Sequence, residues 1–311
     1  MIRRHRVNPS VPSKFAGRMC VLGAALLWSM SGLFAKATLF HDIPVETRGP
    51  VLAFWRAVFA TVVLLPAVRQ PRWRAWLIPV TICFTGMNVT YLTAMTRTTA
   101  ANAIWLQSTA PWWVFLLSLI LFREPVVRRD LIPLFFGMLG VGFILGFEAV
   151  HSEGVARSGV VFGLVSGFFY AGVVIFMRQL RDEDSAWLVA LNHCVAALVL
   201  LPWILWLGRW PSATQFLVLF GFGALQMAIP YLLLIRGLRA ISSQEAVALG
   251  LIEPVLIPLW VYLKWDESPA WWTMVGAALI LVGLLLRYVI WELVARRSPP
   301  ELAEPRLPPG D

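Results

Sequence analysis

Apolar and polar positions alternate along this chain in long blocks: ten apolar runs separated by short polar connections. The runs cover residues 17–38, 51–68, 76–96, 99–122, 131–147, 159–178, 186–207, 214–236, 243–263 and 270–291. Each is close to the length an α-helix needs to cross the hydrocarbon core of a bilayer. The first run, from about Met19 to Leu39, is too long for the apolar core of a cleaved signal and lacks a small-residue cleavage site. It is therefore expected to stay as a span. No connection is long enough to hold a soluble catalytic domain. The pattern predicts an all-α membrane protein with ten transmembrane helices.

The runs also repeat. Asn102 to Glu124 reads NAIWLQSTAPWWVFLLSLILFRE, and Glu245 to Glu267 reads EAVALGLIEPVLIPLWVYLKWDE. A shift of 143 pairs Ala103 with Ala246, Leu106 with Leu249, Pro111 with Pro254, Leu116 with Leu259 and Glu124 with Glu267, and carried onward it pairs Gly140 with Gly283. LAFWRAVFATVVLLP, ending at Pro66, aligns with VALNHCVAALVLLP, ending at Pro202, which sets Arg56 opposite Asn192. GAALLWSMSG from Gly23 aligns with GLVSGFFYAG from Gly163, and Tyr91 answers Tyr231. The predicted organisation is a cytoplasmic segment 1–16, a first five-helix repeat 17–147, a second 159–291, and a disordered cytoplasmic tail 292–311. Five spans per repeat is an odd number, so the second half enters the membrane from the opposite side and the repeats are inverted.

Composition strengthens this reading. Hydrophobic residues make up 59% of the 311 and charged residues only 14%, with a mean hydropathy of +0.73; a soluble chain of this size would have a largely apolar surface. The net charge of +9 lies in short clusters between apolar runs, which fits loops flanking membrane helices and not a nucleic-acid surface. With the N-terminus in the cytoplasm, 19 of the 26 lysines and arginines fall on the inside and six outside, with Arg56 left within a span. That bias places both termini inside, as an even number of spans also requires. Cys20, Cys83 and Cys194 and the four histidines show no disulfide, zinc or haem spacing, so no metal and no cofactor are expected.

The candidate chemistry sits where the repeat is most regular. A proline inside a helix cannot bond the carbonyl four residues earlier, so Pro111 frees the carbonyl of Gln107, Pro254 that of Gly250, and Pro258 that of Pro254. Such matched broken helices mark a transporter's central site, and these prolines are candidate hinges. Glu124 and Glu267 end the two helices and are candidate gates. Glu253 lies mid-span, where an acid costs about 2.5–3.5 kcal/mol, on a face shared with Gly250 and Ala246. It reads as a proton site or a partner for a substrate amine, or else as a neutral acid bonded to a neighbouring helix. Further cavity candidates are Trp28, Asn88, Tyr91, Gln107, Ser166, Tyr170, Gln226 and Tyr231, each also readable as interhelical glue. Arg56 is expected to snorkel to the interface or to make a packing ion pair, for instance with Glu46; the less favoured alternative turns it towards a cavity anion.

The stretches AANAIWLQSTAPWW…FRE and AVALGLIEPVLIP…WDE, with Arg56 in the second helix, resemble the EamA family of the drug/metabolite transporter superfamily over residues 17 to 291. The Lys264–Trp265–Asp266 turn departs from the glycine-containing turn usual there. The resemblance implies a ten-helix carrier of small metabolites with a central cavity. A midplane carboxylate near several aromatics then suggests a small polar or amphipathic solute, an amino acid or related amine, moved by alternating access and exported. The alternatives are a sugar or nucleotide-linked metabolite carrier or exchanger, and a lipid-translocating protein. No nucleophile, base or metal set points to an enzyme. Expected partners are the small-molecule substrate, the lipid bilayer of a bacterial inner membrane and protons, with no nucleic acid; the oligomeric state is left open.

Overall fold

The computed structural model describes residues 13–123 and 131–286, and every regular element among them is helical. Glu124, the tail 292–311 and most of the N-terminal segment lie outside the described residues. In chain order the helices are α1 (Lys14–Ala35), α2 (Val45–Ala67), α3 (Leu77–Arg97), α4 (Ala100–Gln107 and Ala110–Phe122) and α5 (Leu131–His151). They continue with α6 (Gly154–Leu180), α7 (Ser185–Leu207), α8 (Ala213–Gly237), α9 (Ser243–Gly250 and Glu253–Trp265) and α10 (Trp271–Leu285). Among the described residues nine of these are long and apolar enough to cross a membrane, and α10 is a shorter apolar helix. Residues 287–291 of the expected tenth span lie outside the described residues.

Local chemistry explains where the helices start and stop. Thr99 caps α4 by accepting from the Asn102 N–H at 3.1 Å, and Ser242 caps α9 by accepting from Glu245 at 3.2 Å. Ser212 and Gln215 form a reciprocal capping box at the start of α8. Helix α2 begins six residues before the expected start at 51. Its Pro50 leaves the Glu46 carbonyl without a helical donor, and Arg97 supplies one from Nη2 at 2.9 Å. The repeat shows in the backbone too. The second segment of α4 ends on Arg123 at φ +52° and that of α9 on Asp266 at φ +54°, two left-handed residues 143 positions apart. Asp tolerates that conformation better than most residues, which is how the Lys264–Trp265–Asp266 turn does without glycine.

Packing is close where glycines meet. At the α5–α10 crossing, a Cβ on Gly140 would stand 2.5 Å from the Gly276 carbonyl oxygen, and one on Gly276 would stand 2.7 Å from that of Gly140. The backbones therefore touch, as small residues allow in membrane bundles. The main core gathers residues of α2, α3 and α4, including Leu52, Leu92, Met95 and Leu106, all fully buried.

Candidate functional site

The two helices matched by the repeat, α4 and α9, are each interrupted just before their aligned proline. In α4 the break falls at Ser108–Thr109, and in α9 at Leu251–Ile252; Pro111 and Pro254 each occupy the first turn of the restarted segment. Pro258 lies inside the second segment of α9 without a further interruption. The α4 break packs on α6, where a Cβ at Gly167 would meet Thr109 Oγ1 at 2.3 Å and the Leu106 carbonyl oxygen at 2.9 Å. At the α9 break, a Cβ on Gly250 would meet open space.

Glu253 opens the second segment of α9, half-buried. It lies within electrostatic reach of the Tyr91 and Tyr231 phenols and forms no ion pair among the described residues. Tyr91 is 6% exposed and shares a 3.0 Å hydrogen bond with Ser31 Oγ. Tyr231 meets the edge of Trp28 with ring centroids 5.2 Å apart. Trp260 donates to Ser29 Oγ at 2.9 Å. The two phenols within reach of Glu253 are thus themselves held by groups of α1, Tyr91 by the Ser31 hydroxyl and Tyr231 by the Trp28 indole.

Arg56 corrects the snorkelling expectation. Its side chain is fully buried: Nη1 donates to Gln226 Oε1 at 3.2 Å, Nη2 donates to Asn88 Oδ1, and the guanidinium stands 5.1 Å over the Phe222 ring. Neither Glu46 nor any other carboxylate pairs with it among the described residues. Asn88 is anchored by donating to the Ala53 carbonyl at 3.1 Å. Gln226, in a π-helical turn of α8, donates to the Trp28 carbonyl at 3.3 Å. Asn88 and Gln226 therefore clasp Arg56, and two neutral amides hold a buried cation with only part of its hydrogen-bonding capacity used.

Next to the clasp, α7 contributes Asn192 and His193, both fully buried. His193 packs edge-on to Phe84 at 4.7 Å and stands 6.4 Å from Tyr231. Both ring nitrogens of His193, both amide atoms of Asn192 and Arg56 Nε have no hydrogen-bond partner among the described residues.

Of the other sequence candidates, Gln107 ends the first segment of α4, half-buried. Ser166 is buried and donates to the Gly163 carbonyl of its own helix at 2.7 Å, and Tyr170 is 42% exposed, outside the buried cluster. Glu267 sits in a latch. Its Oε2 is 2.6 Å from Lys36 Nζ, its Oε1 accepts from the Ala100 N–H at 2.6 Å, and Lys36 also donates to the Thr98 carbonyl at 2.6 Å. The latch ties α1, α3, α4 and α9 at one end of the bundle. At the other end Arg18 Nε meets Glu245 Oε1 at 2.6 Å in a more exposed pair.

Sequence reasoning missed a third polar group. Glu148, 5% exposed, accepts from Asn102 Nδ2 and Trp272 Nε1, each at 2.9 Å, and from Ser152 Oγ. Thr273 donates to Asn102 Oδ1 at 2.7 Å. The available signal was an acid at the end of an apolar run together with an asparagine opening the repeated stretch.

Cavities of about 360 Å³ and about 300 Å³ lie away from this centre. One is on α5 around Gly142, Gly146 and His151, and the other is where α1 and α7 end and α2 and α8 begin, around Asp42 and Arg209. Convergent polar groups and broken helices locate a membrane carrier's centre better than cavity size does, so the Glu253 group is taken as the site.

Helices of membrane-crossing length, two of them broken beside matched prolines, with an acid at one of the breaks, define the class: an integral membrane protein of transporter type. The sequence profile of the EamA-like transporter family matches residues 15–146 and 157–289, and the chain belongs to that family. A protein of Archaeoglobus fulgidus named as an uncharacterized transporter is 32% identical over 199 residues, covering 64% of this chain and 70% of that protein. A second from the same organism, with the same name, is 22% identical over 275 residues, covering 85% and 95%. A solved crystal structure, 18% identical, matches with a TM-score of 0.62 over 92% of this chain and 100% of that chain, and shows the same fold.

Proposed function

We propose that this transporter moves a small polar or amphipathic metabolite, an amino acid or related amine, by alternating access, and that it works as a secondary active exporter in a bacterial inner membrane. Ten spans in two inverted five-helix repeats, with both termini cytoplasmic, fit the arginine and lysine bias and the paired breaks. The carrying observation is Glu253: a carboxylate at a helix break, faced by Tyr91 and Tyr231, with no cation paired to it among the described residues. A substrate ammonium supplies the missing charge, and the Trp28 and tyrosine rings supply faces that favour a cation. In the absence of substrate, a proton fills the same role.

In this reading the two halves rock about α4 and α9, bending at Pro111 and Pro254, while the Lys36–Glu267 latch closes one end. An anionic sugar-nucleotide substrate is less well supported, because the buried Arg56 is already engaged by Asn88 and Gln226. The test is uptake into proteoliposomes of amines, amino acids and phosphorylated metabolites, with and without a pH gradient. Amines or amino acids are expected to be carried, and Glu253→Gln is expected to abolish the pH dependence while the protein stays folded. Preference for a phosphorylated ligand, or a pH profile unchanged in the variant, would overturn the reading.

A further inference from the structure

A second feature lies at the bundle end that carries Lys36, away from Glu253 and independent of what is transported. Where α2 and α8 begin and α7 ends, a cavity of about 300 Å³ is walled by Ile43 and Val51 and flanked by Asp42, Arg209 and Trp210, with Gln215 beneath. Its floor is fixed. Gln215 Nε2 donates to Asp42 Oδ1 and to the Leu39 carbonyl, each at 2.9 Å, and its Oε1 accepts from the Ser212 N–H at 2.9 Å. Asp42 and Arg209 are both exposed, and neither forms an ion pair among the described residues. The nearby Arg48 is within electrostatic reach of Asp42 but forms no ion pair with it, donating instead to the carbonyls of His41 and Ile43. The cavity thus offers one charge of each sign, neither held in an ion pair among the described residues, over an apolar wall.

Its place in the bundle says what fits it. All three helices change here from apolar span to polar connection, which sets the cavity at the level of lipid headgroups. Trp210 reaches out at 63% exposure against the edge of Trp55, and Trp206, one turn deeper on α7, is 80% exposed. Exposed indoles at a span end are the usual interfacial anchors. Below them, Leu205 on α7 and Phe216, Leu217 and Phe220 on α8 turn apolar side chains outward, a surface for acyl chains. We propose that this cavity holds the headgroup of a zwitterionic aminophospholipid. The phosphate sits on the Arg209 guanidinium, which matches phosphate oxygens as a fork. The primary ammonium sits on Asp42, and the glycerol end leads down past Trp206 to the exposed face of α7 and α8.

A primary ammonium donates hydrogen bonds to Asp42, a trimethylated one donates none, and a glycerol headgroup brings no positive charge. The full-length protein in detergent is given equal amounts of phosphatidylethanolamine, phosphatidylcholine and phosphatidylglycerol with identical chains, and retained lipid is read by native mass spectrometry. The ethanolamine lipid is expected to be retained most. Asp42→Asn should reduce its advantage roughly fivefold, the scale of one charge near a membrane surface, and Arg209→Gln should reduce retention of all three. Both positions are exposed, and unchanged melting of the variants confirms that they fold. Equal retention of the three lipids by the wild type, or variants that behave like it, would overturn the proposal. Displacement of bound lipid by soluble glycerophosphoethanolamine at equal concentration would also overturn it, by showing a site for a free zwitterion.

Discussion

Glu267→Gln cuts the charge out of the latch while keeping its shape. In the structure, Glu267 Oε2 lies 2.6 Å from Lys36 Nζ, with the two side chains 24% and 18% exposed, and Oε1 accepts from Ala100 at 2.6 Å. A glutamine keeps an acceptor for Ala100 but turns a charge-assisted bond into a neutral one, a difference of about 1–2 kcal/mol. Partial exposure, with its screening, favours the lower part of that range. A loss of that size multiplies the population with this end open by roughly 5 to 30. The reporter is a cysteine at Val261, fully buried against Gly32 directly inside the latch, in a background with Cys20, Cys83 and Cys194 replaced. Its labelling by a polar maleimide should accelerate by that factor in Glu267→Gln. Lys36→Gln should match it, and the double variant should exceed neither single by much, because both remove one interaction. Unchanged labelling in both singles, or full additivity in the double, would refute the latch.

Asn88→Leu strips one partner from the buried Arg56 and should lower stability in detergent by about 3 kcal/mol, with Arg56→Met in the same chain recovering part of it; equal melting of wild type and single variant would contradict the clasp. His193→Phe removes two unpartnered buried nitrogens and, after a small overpacking cost, should raise stability by about 1 kcal/mol; a fall in melting temperature would show that the nitrogens are engaged. Asp184, just before α7, is pushed up by burial, but the backbone N–H groups of Arg69, Gln70, Ala186 and Trp187 outweigh that and hold its carboxyl below the ordinary value of 3.8. A depressed carboxyl stabilises the fold above the unfolded value and loses that contribution as the pH falls through its lower folded value. Asp184→Asn should therefore melt lower at neutral pH, with the gap closing below about pH 4; a gap independent of pH would remove the carboxylate from the account.

The spans were legible because apolar runs of bilayer length have few other uses, and the breaks because proline acts on its own helix. Glu253 stood out for the same local reason, an acid within an apolar run. What stayed hidden depends on distant partners. Arg56 looked ready to snorkel because Asn88 is 32 residues away and Gln226 is 170 away, and nothing in LAFWRAVFA announces either. The latch joins a lysine after the first span to the glutamate after the ninth. Trp260 finds Ser29 only because Gly32 lets α9 come close to α1. The early start of α2 was hidden by Pro50, which leaves the Glu46 carbonyl unmatched until Arg97 of another helix answers it.

The two breaks look alike in sequence and differ in space, and the residues beside each proline explain why. In α4, Ser108 and Thr109 fill the interruption with hydroxyls. Ser108 Oγ and its own N–H both reach the Ile104 carbonyl, at 2.8 and 2.9 Å, and Thr109 Oγ1 and its N–H both reach that of Leu106, at 2.7 and 3.2 Å. Gly167 then brings α6 against the same carbonyls, so the break is doubly bonded and covered. In α9 the matching positions are Leu251 and Ile252, which carry no polar atoms. There the Ala248 carbonyl receives the Leu251 N–H, at a longer 3.3 Å and with no side-chain hydroxyl beside it, and Gly250 faces open space. Backbone left short of donors at membrane depth has to face protein or a wet space, and the half-buried Glu253 stands at that point. The same proline, placed twice by the repeat, thus sits beside a well-bonded, covered break in one half and a sparsely bonded, open one in the other. In the proposed rocking motion both breaks bend, and this asymmetry makes α9, which carries Glu253, the more deformable of the two.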